Sequence, residues 1–169
     1  MTRRVMVMGG PGSGKSTLAR AIGARLGVPV FHLDRLYHLP GWEPRPAAEF
    51  ADEVTRVAGL PGWVIDGNYS FTAAPRLAAA DLLVYLDLPR WLTFSRILRR
   101  NALGYGRERA DAAEGCRERF DREFLRYAWR WREDIRPRVE LVRDCFDGRV
   151  ETLRTRREVA AFLASIDAR

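Results

Sequence analysis

The sequence predicts an α/β protein in three layers, a parallel β-sheet between two layers of helices. Three observations point there. Short apolar runs recur at residues 5–8, 30–33, 63–66, 81–86 and 150–153. Longer segments with helical spacing of apolar residues separate them. The first run passes through a glycine-rich turn directly into one of those helices. Alternation of this kind builds βα units around a parallel sheet. The 169 residues suit one domain spanning 1–169. With 47% hydrophobic and 30% charged residues, the composition is that of a folded domain with a core. It excludes a disordered tail, a collagen-like chain and a small cysteine scaffold. No apolar run approaches the ~18 residues of a membrane span. The apolar stretch after Arg3 and Arg4 stops at Met8, so it does not read as a signal peptide, and the expected address is cytoplasmic. The two cysteines, Cys116 and Cys145, need not pair.

Each element has its own signal. Val5 to Met8 reads as a buried parallel strand. Ser16 to Leu26 is a helix with Leu18, Ala19, Ile22 and Leu26 on one face, and Gly27 sits where a left-handed cap is common. Val30 to Leu33 is a second strand, followed by a turn-rich loop over 34–44. Arg45 to Ala58 is a helix with Phe50, Val54 and Val57 inward, closed by Gly59. Trp63 to Asp66 and Asp81 to Leu86 are the third and fourth strands. Pro89 suits the first turn of a helix reaching about Leu103. Gly104, Gly106 and Gly115 bracket a polar stretch that reads as a small lid over 104–116. A long polar helix runs from Glu118 to Val142, broken near Pro137. Val150 to Leu153 is a weaker fifth strand, and Arg156 to Ile166 a closing helix.

The strongest chemical signal is Gly9-Gly10-Pro11-Gly12-Ser13-Gly14-Lys15-Ser16, then Thr17. It fits the G-x-x-x-x-G-K-[ST] pattern in the right context, strand before and helix after. Glycines let successive N–H groups turn inward around an anion, and the helix adds its positive end. Gly10, Pro11, Gly12, Ser13 and Gly14 would cradle the phosphates of ATP. Lys15 would place its charge on the β- and γ-phosphates. Ser16 would offer its hydroxyl to Mg²⁺, and Thr17 would lie nearer the α-phosphate. Lys15 is the only lysine among 29 basic residues.

Three apolar strands end in carboxylates, Asp34, Asp66 and Asp87. In a parallel sheet these ends converge on the ligand crevice. Asp66, before Gly67, is the candidate Mg²⁺-side acid. Asp34 is the candidate to orient or deprotonate an acceptor hydroxyl, and Asp87 reads as a helix cap. His32 is a candidate for the acceptor wall and His38 for a loop residue. Their spacing with Asp34 matches no common metal site. Trp42 and Tyr69 fit either the pocket wall or the core.

The net charge of +7 is uneven: residues 90–157 hold 19 arginines against 12 acids. Such a region suits a polyanion such as nucleic acid, phosphate clamps, or an arginine-rich surface with scattered ion pairs. Arg96 and Arg100, four apart on one helix face, with Arg107 and Arg109 beyond them in the lid, could close over a γ-phosphate and exclude water.

The segments GGPGSGKSTLA, VFHLDRLYHLPGW, WVIDGNY, DLLVYLDLPRW and ADAAEGCRERFDREFL occur in that order and cover nearly the whole chain. Together they resemble the adenylate-kinase-like branch of P-loop proteins, in particular the bacterial DNA topology modulation, or FlaR-like, group. The resemblance implies a five-stranded parallel sheet of order 2-3-1-4-5, an acceptor-binding region over 34–60 and a lid. Asp66-Gly67 matches the pair that organises Mg²⁺ in nucleoside monophosphate kinases, and the Arg96/Arg100 pair resembles their lid arginines. In those kinases the pair is followed by a turn with Pro and Arg that holds the acceptor nucleotide; here Asn68-Tyr69 stands instead. Asp34 resembles the acceptor-side aspartate of shikimate- and gluconate-type kinases.

The reading that follows is an enzyme, a P-loop kinase using ATP and Mg²⁺ on a small hydroxyl or phosphate acceptor, nucleotide-kinase-like, with no membrane partner. The alternatives are an ATPase or nucleotide switch acting on nucleic acid, and a nucleotide-binding regulator with little turnover. A kinase requires an acceptor-sized cavity beside Asp34; a nucleic-acid binder requires a continuous basic stripe.

Overall fold

The computed structural model describes residues 2–104, 115 and 121–166. Strand β1 (Arg4–Gly9) lies at the centre of the sheet. Helix α1 (Lys15–Leu26) follows, and then β2 (Val30–His32). Residues expected as a loop fold instead into a short helix α2 (Leu33–Tyr37) and a small antiparallel ribbon. The ribbon is β3 (His38–Leu39) and β4 (Glu43–Pro44), joined by a 3-10 turn at Pro40–Trp42. Arg45 closes this excursion: its N–H donates to the Tyr37 carbonyl and its Nε to the Leu36 carbonyl. Local turn formers concealed these elements, because each is too short to carry a period.

Next come α3 (Ala47–Ala58), β5 (Trp63–Asp66), a 3-10 turn at Ser70–Thr72, α4 (Ala73–Ala79) and β6 (Leu82–Leu86). Helix α4 had no expectation in the sequence; its seven residues, four of them alanine, show no amphipathic period. Then follow α5 (Arg90–Gly104), α6 (Arg122–Asp134), α7 (Arg136–Asp144), β7 (Arg149–Leu153) and α8 (Arg156–Ser165). The long helix expected from Glu118 is therefore two helices. The break falls at Ile135 (φ −117), with Pro137 in the first turn of α7, where its missing N–H costs nothing.

The main sheet is parallel throughout, in the order β2-β5-β1-β6-β7. Counting its strands alone, this is 2-3-1-4-5. Val5, Met6, Val7 and Met8 are completely buried because helices cover both faces. One face packs Met6, Met8, Ile65 and Leu83 against Phe50, Val54 and Trp131. The other packs Val5, Val7, Val64 and Val84 against Leu18, Ile22 and Phe162. No described helix is long and apolar enough to cross a membrane.

Strand order reverses beside β1, where β5 and β6 flank it. The crevice at a parallel sheet's carboxyl edge lies there, and the glycine-rich turn leaves β1 at that point.

Candidate active site

Helix α1 begins without a side-chain cap. Its N-cap is Gly14, in the left-handed region at φ 92, and no acid lies in its first turn. By contrast, Asp121 caps α6 by accepting from the N–H groups of Glu123 and Phe124, and Thr155 caps α8 by accepting from that of Glu158. The first-turn donors of α1 thus carry no side-chain acceptor, and they face an anion-sized loop. Lys15 Nζ donates to the Gly10 carbonyl, 3.0 Å away, spanning the loop from its far end. Gly12 shows why the loop needs glycine. Its φ is 72, and a Cβ there would meet the Thr93 carbonyl at 2.4 Å. Gly10, Pro11, Gly12, Ser13, Gly14 and Thr17 sit as the motif requires, between β1 and the first turn of α1.

The DGNY segment, which begins with the last residue of β5, gives Asn68 and Tyr69 partners that the sequence did not show. Asp66 is buried and lies beside His32 on the neighbouring strand. Their Oδ2 and Nδ1 are 3.1 Å apart without hydrogen-bond alignment. Gly67 (φ 126) lets the chain pass Leu33, whose Cβ would lie 2.8 Å from a side chain there. Asn68 turns its amide onto the end of β1: the Gly9 N–H donates to Oδ1 at 3.1 Å, and Nδ2 donates to the Gly9 carbonyl at 2.9 Å. The acid-bearing loop therefore holds the phosphate loop by its root. Replacing Asn68 with alanine orphans both Gly9 groups and is expected to cost about 2 kcal/mol. Chemical denaturation reads that loss, and calorimetry with an ATP analogue should read a parallel loss of nucleotide affinity.

Tyr69 donates its hydroxyl to Asp34 Oδ1 at 2.8 Å. Burial, then the Asp34 charge and this bond, push the phenol far above its ordinary value, so it stays a donor. Asp34 itself sits in the first turn of α2, not on a strand end as the alternation implied. Arg76 supports the whole segment from beneath. It is completely buried, and it donates to the carbonyls of Thr72, Gly67, Asn68 and Tyr69. Burial lowers its pKa to about 10, still well above neutrality. Nothing in the sequence distinguished Arg76 from its many exposed counterparts.

On the other side of the phosphate loop, Arg96 Nη1 donates to the Ser13 carbonyl at 3.1 Å. Burial lowers the Arg96 pKa, and the like charge of Arg156 lowers it further. Both line the site, and an anion between them would relieve their repulsion. Arg156 was not among the expected residues; its place at the start of the last helix gave no signal. Arg100 lies over the Phe124 ring, 5.7 Å from its centroid, and so joins α5 to α6 across the site. Arg107, Arg109 and the lid residues 105–114 fall outside the described residues.

These parts share one cavity of about 1240 Å³. Lys15, Ser16, Asp34, Asp66, Arg96 and Arg100 all open into it. Of the expected acceptor region 34–60, only Asp34, His38 and Trp42 reach the cavity, while α3 turns Phe50, Val54 and Val57 into the core. Asp87 departs from its expected role as a cap. Its two carboxylate oxygens accept from Arg132 at 2.9 Å and Arg136 at 3.2 Å. His32 lies against Asp66 rather than beside Asp34. Among the described residues no group of three His, Cys, Asp or Glu is placed to hold a metal alone. The donor set nonetheless suits Mg²⁺ shared with phosphates. A serine hydroxyl and a carboxylate line one cavity, and Asp66 Oδ2 is buried without a hydrogen-bond donor.

Six of the described arginines of the basic segment pair with acids, Arg132 doing so through Asp87. Arg90 pairs with Glu133, Arg130 with Asp134, Arg136 also with Glu140, Arg143 with Asp144, and Arg149 with Glu151. Such pairs interrupt a basic surface and are the scattered ion pairs the charge count allowed.

No protein-family model matches the chain, and no curated protein sequence matches it. Solved structures do. Shikimate kinase from Bacteroides thetaiotaomicron is 17% identical, with 97% of this chain and 95% of that chain covered and a TM-score of 0.59. Shikimate kinase from Acinetobacter baumannii, in complex with shikimate, is 18% identical over 98% and 91%, also with a TM-score of 0.59. A gluconokinase from Sinorhizobium meliloti 1021 is 18% identical over 96% and 92%, with a TM-score of 0.55. Likeness at this identity is likeness of fold. The chain has the P-loop kinase fold, an α/β sandwich around a five-stranded parallel sheet.

Proposed function

We propose that this protein is an enzyme that transfers the γ-phosphoryl group of ATP to a hydroxyl of a small molecule. One observation carries the reading: the uncapped start of α1, with Lys15, and the Asp34–Tyr69 pair open into the same cavity. A site for nucleotide hydrolysis alone has no use for the second feature. The fold of shikimate kinase and gluconokinase, proteins named for hydroxyl acceptors, supports it.

In this reading residues 10–17 hold the triphosphate through backbone N–H groups, the Lys15 ammonium and the Ser16 and Thr17 hydroxyls. Ser16 and Asp66 would hold Mg²⁺, whose charge would offset that of the phosphates. Tyr69 occupies Oδ1 of Asp34 and leaves Oδ2 for the acceptor hydroxyl. As that oxygen bonds to the γ-phosphorus, the bond from phosphorus to the ADP oxygen breaks, and Asp34 takes the hydroxyl proton. Arg96 and Arg100 hold charge on the transferring group, joined by Arg107 and Arg109 of the proposed lid over 104–116. Residues 34–60 and the lid then serve a single catalytic domain. The resemblance to the DNA topology modulation group adds no chemistry here, since acids interrupt the basic segment at Arg90, Arg130, Arg132, Arg136, Arg143 and Arg149.

The test is a phosphoryl-transfer screen with ATP against sugars, hydroxy acids, nucleosides and nucleoside monophosphates, with ATP hydrolysis measured beside it. Transfer to a hydroxyl compound is the expected result. Hydrolysis stimulated by DNA, with no acceptor phosphorylated, would overturn it. For the acceptor found, Asp34→Asn is expected to lower kcat by about 10²- to 10⁴-fold, while ATP affinity stays unchanged.

A further inference from the structure

We propose that the acceptor is a planar ring compound carrying one reactive hydroxyl and one anionic substituent. Trp42, Phe71 and Tyr127 would hold the ring and Arg138 the anion. The inference rests on the phosphoryl-transfer reading and narrows its acceptor.

The backbone gives the first reason. Among the described residues, two non-glycine positions have φ in the left-handed region, Trp42 at 67 and Tyr69 at 32. That region is costly for bulky side chains, and such strain collects at functional sites. Both residues are aromatic, and both line the cavity that holds Asp34. The chain takes two successive left-handed steps, Gly41 and Trp42, and the indole then meets the His38 ring edge-on at 5.2 Å. His38 Nδ1 lies 3.0 Å from the Asp34 backbone carbonyl, and the indole and Asp34 line the same cavity.

Exposure gives the second. Phe71 is 63% exposed and Tyr127 43%, yet both line this cavity. The Phe71 ring lies 6.3 Å from that of Tyr69, whose hydroxyl holds Asp34. Tyr127 is near enough to Asp34 for that charge to raise its pKa, after burial. Partly exposed aromatic rings around a single hydroxyl-directing carboxylate suit a flat, largely apolar ligand. An open-chain polyol would need a separate partner for every hydroxyl.

Arg138 gives the third. Arg130, Arg132, Arg136 and Arg143 around it are all ion-paired. Arg138 lines the cavity and makes no ion pair among the described residues. Its helix α7 packs against the 3-10 turn that carries Phe71. Asp121, the acid nearest in kind on the cavity wall, accepts from two backbone N–H groups as the cap of α6. An unpaired guanidinium on the same cavity wall as these rings suits a carboxylate or phosphate on the ligand.

The experiment is calorimetry on the protein saturated with a non-hydrolysable ATP analogue and Mg²⁺. The probe is 4-(hydroxymethyl)benzoate. Its controls are 4-(hydroxymethyl)cyclohexanecarboxylate, which has the same groups on a puckered ring, benzyl alcohol, which lacks the acid, and gluconate. The benzoate is expected to bind at least about tenfold more tightly than each control. Phe71→Leu should bring it down to the cyclohexane compound, and Arg138→Gln down to benzyl alcohol. Both positions are exposed, and unchanged affinity for the ATP analogue shows that each variant is folded. Equal or tighter binding of gluconate or the cyclohexane compound would overturn the inference. So would benzoate binding indifferent to both variants, or its absence while the analogue is bound; each leaves the phosphoryl-transfer reading standing. Failure of the analogue itself to bind overturns that reading and the inference with it.

Discussion

Lys15→Met is expected to lower the rate of phosphoryl transfer by about 10²- to 10³-fold, the loss typical when one preorganised charge is withdrawn from a developing anion. Two features make the effect large. Lys15 is the chain's only lysine, so no second ammonium stands in reserve. It also sits at the start of α1, where no acid and no side-chain cap compete for the helix donors. Methionine keeps most of the stem's volume and apolar contacts and removes the charge. The fold should therefore persist, and thermal unfolding of the variant should match that of the parent within about 1 kcal/mol. Arginine is expected to rescue poorly. Its fork is too wide to donate to the Gly10 carbonyl within a loop where a Cβ at Gly12 would already meet the Thr93 carbonyl at 2.4 Å. Comparing kcat for Lys15→Met and Lys15→Arg, with nucleotide affinity from calorimetry, checks both statements. An arginine variant with parental kcat would contradict the geometric argument.

Arg76→Leu is expected to destabilise the protein by about 3–5 kcal/mol, far more than loss of an exposed arginine. Four backbone carbonyls, of Gly67, Asn68, Tyr69 and Thr72, depend on this one guanidinium. Leucine fills much of the space but leaves those oxygens buried without donors. For a chain of this length the loss amounts to a fall in Tm of about 10 °C. Arg76→Lys should recover only part of it, because one ammonium has three donors and no planar fork. The same substitutions carry a functional consequence. Asn68 holds the root of the phosphate loop and Tyr69 holds Asp34, so loosening their carbonyls should weaken nucleotide binding before the protein unfolds. Denaturant titrations of both variants, read beside calorimetry below the unfolding transition, separate the two losses.

Much of the fold was legible because it is locally encoded. The apolar runs at 5–8, 63–66 and 82–86 announce buried strands, and Gly27 sits in the left-handed cap expected of it, at φ 64. The phosphate loop was equally legible, since its amides, glycines and Lys15 lie within one turn. Short elements were not. The helix at Leu33–Tyr37 and the ribbon beyond it span too few residues to show a period. That helix moved Asp34 from a strand end to a helix start, where Tyr69 reaches it from 35 positions away.

The sequence by itself determined the glycine-rich turn at residues 9–17 and the helix that starts at Lys15, because local backbone conformation and nearby side chains suffice for them. Only the tertiary structure decided which arginines matter. In the sequence Arg76, Arg138 and Arg156 look like the other arginines. In the folded chain one is sealed beneath the DGNY loop, one lines the cavity without an ion pair among the described residues, and one brings a second positive charge to the Arg96 side of that cavity. The physical reason is that the role of a charge is set by what surrounds it, its solvent, its acceptors and its neighbours of like or opposite sign. Those surroundings are assembled from segments far apart in the chain.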